Sequence, residues 1–144
     1  KEKNSDIFYF TKKVIEFRKK HHSLKREHFF ADKDLSGDGI ADITWHGIDS
    51  FNPDWASHSR ILAFMISGND FIDEDTPPDN DIYVVFNSYY KALEFELPKL
   101  NGKKWYRVID THMIHGHDFL DIPLEVHGKK YKVMDRSAIV LISK

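Results

Sequence analysis

After His22 the chain breaks into short runs of β-branched and aromatic residues, and no helical pattern fills the gaps between them. The runs are Glu27–Phe30, Asp42–Trp45, Arg60–Ile66, Ile82–Asn87, Ala92–Leu97, Trp105–Asp110, Tyr131–Met134 and Ser137–Ile142. Runs of this length between polar, Gly and Pro punctuation read as β-strands. Strands with no helices between them must pair antiparallel, in a sandwich or a barrel. Leu93, Phe95 and Leu97 alternate with Glu94 and Glu96, as in a strand with one wet face. Ile61–Ile66 and Ala138–Ile142 are apolar throughout, which suits central strands covered on both faces. The expected fold is mainly β, an antiparallel β-sandwich of about eight strands preceded by one N-terminal α-helix.

That helix is the stretch Lys1–Lys20. Ile7, Phe10, Val14 and Phe17 recur on one helical face, and Phe8 and Ile15 widen the stripe. Asn4 or Ser5 can cap the start, Asp6 suits the first turn, and Arg18, Lys19 and Lys20 suit the last. So wide a stripe must face either this domain's own core or a neighbour.

Composition narrows the function classes. A chain of 144 residues is the size of one domain with one core. Its 21 basic and 23 acidic residues leave a net charge of -2, which argues against the basic footprint of a nucleic-acid binder. There is no cysteine, so disulfides, thiolate metal sites and cysteine nucleophiles are excluded together. No apolar run approaches the ~20 residues that span a bilayer, and no apolar signal core follows the Lys-rich start. A soluble chain with no membrane partner is expected.

Several clusters invite chemistry. Asp34, Ser36, Asp38 and Asp42 lie in an Asp-x-Ser-x-Asp-Gly-x-x-Asp pattern. Oxygens at alternate positions with a Gly for the sharp turn suit Ca2+, although the twelfth position of a register begun at Asp32 is Ile43, not the Glu of an EF-hand. The same residues also read as an acidic, Gly-rich turn. His112, His115, His117 and Asp118 are dense enough for zinc or nickel, or form an exposed connection between strands. Gly68–Asp81 is an acidic loop carrying Asp70, Asp73, Glu74 and Asp75. Glu94 and Glu96 form an acid pair on a solvated strand face, and Ser57 beside His58 is adjacency without geometry. Tyr89 and Tyr90, at a strand-end turn, are the best candidate contact for a sugar face; the tryptophans Trp45, Trp55 and Trp105 compete for the role, or serve the core. Asp54 can pair with Arg60 or cap a turn.

The ordered set of Asp-Ile-Thr-Trp-His-Gly (42–47), Pro-Asp-Trp (53–55) and Ser-Arg-Ile-Leu-Ala-Phe (59–64) is more specific than any one of these. It resembles the region that follows the catalytic barrel in isoamylase-type and glycogen-debranching enzymes of the α-amylase superfamily. Phe10 to Leu24 is similar to the family's last barrel helix and its exit, and Ile82–Asn87 to a strand ending in Phe-Asn. Leu97-Pro98, Trp105 and Val108–Thr111 resemble a Leu-Pro, Trp, Val-Asp-Thr segment, and Arg136 to Leu141 resembles the closing strand. The resemblance implies that residues 1–22 are the final helix of an absent (β/α)₈ barrel and 23–144 the C-terminal sandwich. The parent would hydrolyse α-1,6 branch linkages of glycogen or amylopectin in the cytoplasm. Retaining glycosidases need two carboxyls roughly 5–5.5 Å apart, and none of the family's catalytic motifs occurs here. The expectation is therefore a non-catalytic domain whose partner is the catalytic barrel and, through Tyr89 and Tyr90, α-glucan itself. Phe10, Val14, Phe17 and Trp55 are the expected barrel-facing residues. The rival reading is a free-standing α-glucan-binding module with the helix as its own lid.

Overall fold

The computed structural model describes residues 4–69 and 77–144; the acidic positions Asp70, Asp73, Glu74 and Asp75 lie outside them. Helix α1 spans Ser5–Lys20 and ends in a 3₁₀ turn, His22–Leu24. Eight strands follow: β1 Ile43–His46, β2 Ile61–Ile66, β3 Ile82–Asn87, β4 Leu93–Glu96, β5 Trp105–Asp110, β6 Phe119–Glu125, β7 Lys130–Val133 and β8 Ser137–Ser143. Six form one antiparallel sheet in the order β1-β2-β3-β8-β5-β6, and β4 and β7 form a second.

Of the two runs apolar throughout, Ala138–Ile142 becomes a central strand, whereas Ile61–Ile66 is second from an edge and leaves Leu62 exposed on one face. In β3, Tyr83 and Val85 point to one face and Ile82 and Val84 to the other, and all four are buried. In β8, Ile139 and Leu141 share the first face and Ile142 the second. The small sheet closes the first face: Phe95 of β4 and Val133 of β7 are fully buried against Ala63, Met65, Tyr83, Trp105 and Ile139. Helix α1 closes part of the second, with Phe17 against Ile82, Val84, Val108, Ile109 and Ile142. The molecule is a two-sheet β-sandwich with a helix on its outer face. Glu94 and Glu96 stand opposite Lys132 and Lys130 across the β4–β7 pair, on the wet side as expected.

Two assignments differ from the sequence reading. Glu27–Phe30 is not a strand: Phe29 is 98% exposed, and the segment takes no part in either sheet. The buried carboxylate of Asp42 orders this segment instead. It accepts hydrogen bonds from Arg26 at 2.9 Å and from the backbone N–H groups of Ala31, Lys33 and Ile43. Conversely, Phe119–Glu125 forms β6 despite Pro123, because it is the sheet's outer edge, where a missing N–H costs nothing. Its pairing with β5 carries an irregularity between Arg107 and Ile109.

Polar clamps lock the connections. Asp81 accepts hydrogen bonds from Gly68 N–H, Ser143 Oγ and Lys103 Nζ, all within 2.9 Å. Gly47 lies so close to the Asn52 carbonyl that any Cβ would collide with it, which accounts for the glycine that ends the 42–47 motif.

Candidate functional site

The way α1 lies on the sheet defines the surface left for function. Its C-terminal end is fixed where His21 Nδ1 meets Asp79 Oδ1 at 2.8 Å, while Ser23 donates to Asp79 from both N–H and Oγ. Burial disfavours an ionised carboxylate here, but the bonds from His21, Ser23 and Asn80 outweigh it and hold the Asp79 carboxyl down at about 2. The N-terminal end meets the β5–β6 loop, with the His115 ring edge-on to Tyr9 at 5.3 Å. Along one flank Lys13 pairs with Asp121 of β6 at 2.7 Å. The helix therefore turns that flank to the β6 edge and the opposite flank towards β2 and β1.

Phe10, Val14 and Phe17 face the sandwich itself: Phe17 is buried, and the other two pack beside it. The most exposed apolar residues of α1 are Ile7, at the start of the stripe, and Phe8 and Ile15, which widen it. Ile7 is 67% exposed, Phe8 74% and Ile15 49%. Phe8 and Ile15 are two turns apart and lie on the side of α1 away from Phe10, Phe17 and Lys13. Beside the helix, part of the same sheet face is exposed as well. Leu62 and Phe86 pair across β2 and β3 and are both exposed. Beyond them Trp45 packs against Phe64 at 5.8 Å and edge-on against Trp55 at 5.4 Å, with Trp55 still 64% exposed. The helix flank and the uncovered sheet strands together make an apolar valley open to solvent. Contiguous exposed apolar surface of this kind marks an interaction site.

Leu62 and Phe86 escaped the sequence reading. Their places in apolar runs put them in strands, but periodicity does not tell a covered end of a strand face from a bare one. Asp54 caps its own turn by accepting the Ala56 N–H, and does not clamp Arg60.

Tyr89 and Tyr90 lie on the turn after β3 with ring centroids 4.3 Å apart, and Tyr90 is exposed with Lys91 over its face. The buried Asn87 builds this turn. Its amide donates to the carbonyls of Lys91, Val133 and Met134, and its oxygen accepts the Tyr89 N–H.

The acidic loop closes on itself. Asp34 accepts the N–H groups of Gly37 and Gly39, which lowers its carboxyl below the ordinary range. Ser36 Oγ lies 3.5 Å from Asp34, and Asp38 accepts the Ile40 N–H. Asp42 points away from this loop into its pairing with Arg26. His112, His115 and His117 lie on the exposed β5–β6 loop. Among the described residues no group of three or more His, Asp and Glu side chains is gathered in a metal-holding arrangement. No helix among them is long and apolar enough to cross a membrane.

Comparison with known proteins adds the family. The chain is 31% identical over 146 residues to an isoamylase of Flavobacterium sp, covering 94% of this chain and 18% of that protein. It is 32% identical over 153 residues to the chloroplastic isoamylase SU1 of Zea mays, covering 98% and 17%. It is 30% identical over 112 residues to an isoamylase of Pseudomonas amyloderamosa, covering 74% and 13%. The chain thus spans less than a fifth of the length of these relatives. Residues 44–141, from β1 into β8, match the family model described as isoamylase 1-3, C-terminal, and the chain belongs to that family.

Proposed function

We propose that this chain is the non-catalytic C-terminal portion of a glucan-debranching enzyme whose catalytic barrel hydrolyses α-1,6 branch linkages, and that it packs on that barrel and stabilises it. The observation that carries this is the apolar valley between Phe8 and Ile15 on α1 and Leu62, Phe86 and Trp55 on the sheet side. It lies beside α1, in a chain that covers 18% of a relative's length. The relatives are matched through α1 as well as the sandwich, since the Zea mays alignment covers 98% of the chain. In this reading α1 serves two neighbours: Phe10, Val14 and Phe17 hold the sandwich, and Ile7, Phe8 and Ile15 meet the barrel. A free-standing module gains nothing from an uncovered valley of this kind. The cytoplasm of a glucan-storing cell is the compartment the reading implies, and plant relatives carry the chloroplast in their names.

The test is to place Phe8→Glu and Leu62→Glu together in the full-length enzyme and in this chain alone. Both positions are exposed in the chain, so its melting temperature is expected to stay put while the enzyme's inactivation temperature falls. Equal inactivation of the altered and unaltered enzymes would sink the proposal. Reducing ends released from amylopectin by the purified chain would likewise overturn its non-catalytic part.

A further inference from the structure

One end of the sandwich holds a groove that meets the docking valley only at Phe86. It is bounded by Phe86 and Ser88 at the end of β3, by Thr111 at the start of the β5–β6 loop, and by Arg136 before β8. The Tyr89–Tyr90 pair flanks it, for the Arg136 N–H donates to the Tyr89 carbonyl at 3.2 Å. We propose that this groove binds an α-glucan chain and acts as an outer subsite for the polysaccharide that the catalytic barrel cleaves.

Three observations carry the argument. The lining is mixed in the way a sugar requires: the C–H faces of a glucose unit suit flat rings, and its hydroxyls suit short polar side chains and a guanidinium. Tyr90 is 60% exposed, so its ring is open to a ligand, and Phe86 closes the groove on the side of the docking valley. Thr111 Oγ1 already accepts the Ala138 N–H, which leaves its own hydrogen to donate outward.

The platform is also built rather than incidental. The three amide bonds of the buried Asn87 tie the tyrosine turn to the β7–β8 turn. In that second turn Arg136 is held at φ 49°, a left-handed conformation that is costly for a residue with a Cβ. Strain of this kind persists where the surroundings over-determine it and clusters at ligand clamps.

Position supplies the third observation. The groove shares Thr111 with the loop whose His115 meets Tyr9, so it lies at the N-terminal end of α1. The Asp79–His21 pair marks the opposite end. In a (β/α)₈ barrel the loop after each strand leads into its helix, and the active site lies among those loops. Helix N-termini therefore point to the catalytic face. With α1 as the last barrel helix, which is the reading proposed above, the groove sits at the rim of that face, and a long glucan chain can reach it from the cleavage site.

The test is a titration of this chain with maltoheptaose, followed by calorimetry and by amide chemical shifts, with a cello-oligosaccharide of equal length as comparison. Saturable binding of maltoheptaose is expected, weakened about tenfold or more by Tyr90→Ala and by Arg136→Gly. Tyr90 is exposed, and glycine relieves the strain at 136, so both variants keep the fold. Trp55→Ala, in the docking valley, is expected to leave binding unchanged. A folded chain with no saturable response overturns the inference, as does binding that survives both variants. Equal binding of the cello-oligosaccharide overturns the α-glucan assignment. Should the glutamate variants in the valley destabilise the full-length enzyme while maltoheptaose fails to bind, the docking role stands and only the subsite falls.

Discussion

Lys13 of α1 and Asp121 of β6 meet at 2.7 Å, and the contact shows which way the helix is turned on its sheet. Both ends of the pair reach solvent, so its energetic weight is small beside that of the apolar seam next to it. Its value is as a marker. With Lys13 towards β6, Phe10, Val14 and Phe17 reach the sheet, and Phe8 and Ile15 stay in solvent.

The two sides of α1 are expected to respond very differently to truncation. Phe17→Ala removes a buried ring from the seam with Ile82, Val84 and Val108 and should cost the chain about 3–5 kcal/mol. Phe8→Ala removes a ring already in water and should change stability by less than about 0.5 kcal/mol. Urea unfolding of the two variants checks both values.

Asp42→Ala is expected to be among the most damaging polar substitutions. It removes the carboxylate paired with Arg26, whose side chain is 8% exposed, and the acceptor for the N–H groups of Ala31, Lys33 and Ile43. Losing one partner of a buried ion pair costs about 3–5 kcal/mol. Limited proteolysis should then cut between residues 26 and 41, well before the sandwich unfolds.

Acid should weaken the fold in two steps. His46 is 2% exposed; Phe51 N–H donates to its Nδ1, so Nε2 carries the proton shared with Thr44 Oγ1. Burial pushes this imidazole down to about 4. Unfolded, the same group takes up a proton near 6.5, so the stability it supplies is full above that value and is lost as pH falls towards about 4. Asp79 follows with the carboxylate pattern: its contribution is full above about 3.9 and is lost as pH falls through about 2. Chemical denaturation across pH 7 to 4 should show a slope that His46→Asn flattens and Asp79→Asn does not.

Calcium is expected to leave the melting temperature unchanged. Asp34 already accepts two backbone N–H groups of its own loop, and Asp42 is committed to Arg26, so an ion would have to displace bonds that exist. Calorimetric melting in calcium and in chelator decides the point; a clear rise with calcium would assign the loop a metal after all.

The sequence made most of this fold readable. Ile61–Ile66 and Ser137–Ile142 are long, apolar and free of breakers, and both lie inside the sheet, the second at its centre. It misled where pairing, not composition, decides. Phe29 and Phe30 look like strand residues, yet they join neither sheet. Phe119–Glu125 looks interrupted by Pro123, yet an outer edge tolerates the interruption. The candidate surface was legible in parts. Tyr89, Tyr90 and Trp55 stand out as aromatics in turn-rich stretches, whereas Leu62 and Phe86 belong to the surface because nothing among the described residues covers their end of the sheet.

The seam between α1 and the six-stranded sheet also changes where the molecule can be divided. By composition, the border falls at His22, where helical periodicity gives way to strands. By contact, Phe17 lies in the same cluster as Ile82 and Ile142, so a cut at that border runs through a core rather than around one. A piece beginning after the helix would leave β3 and β8 wet on one face and remove the His21 partner of Asp79. The unit that folds cooperatively therefore starts with the helix, and heat should melt α1 and the sandwich in a single transition.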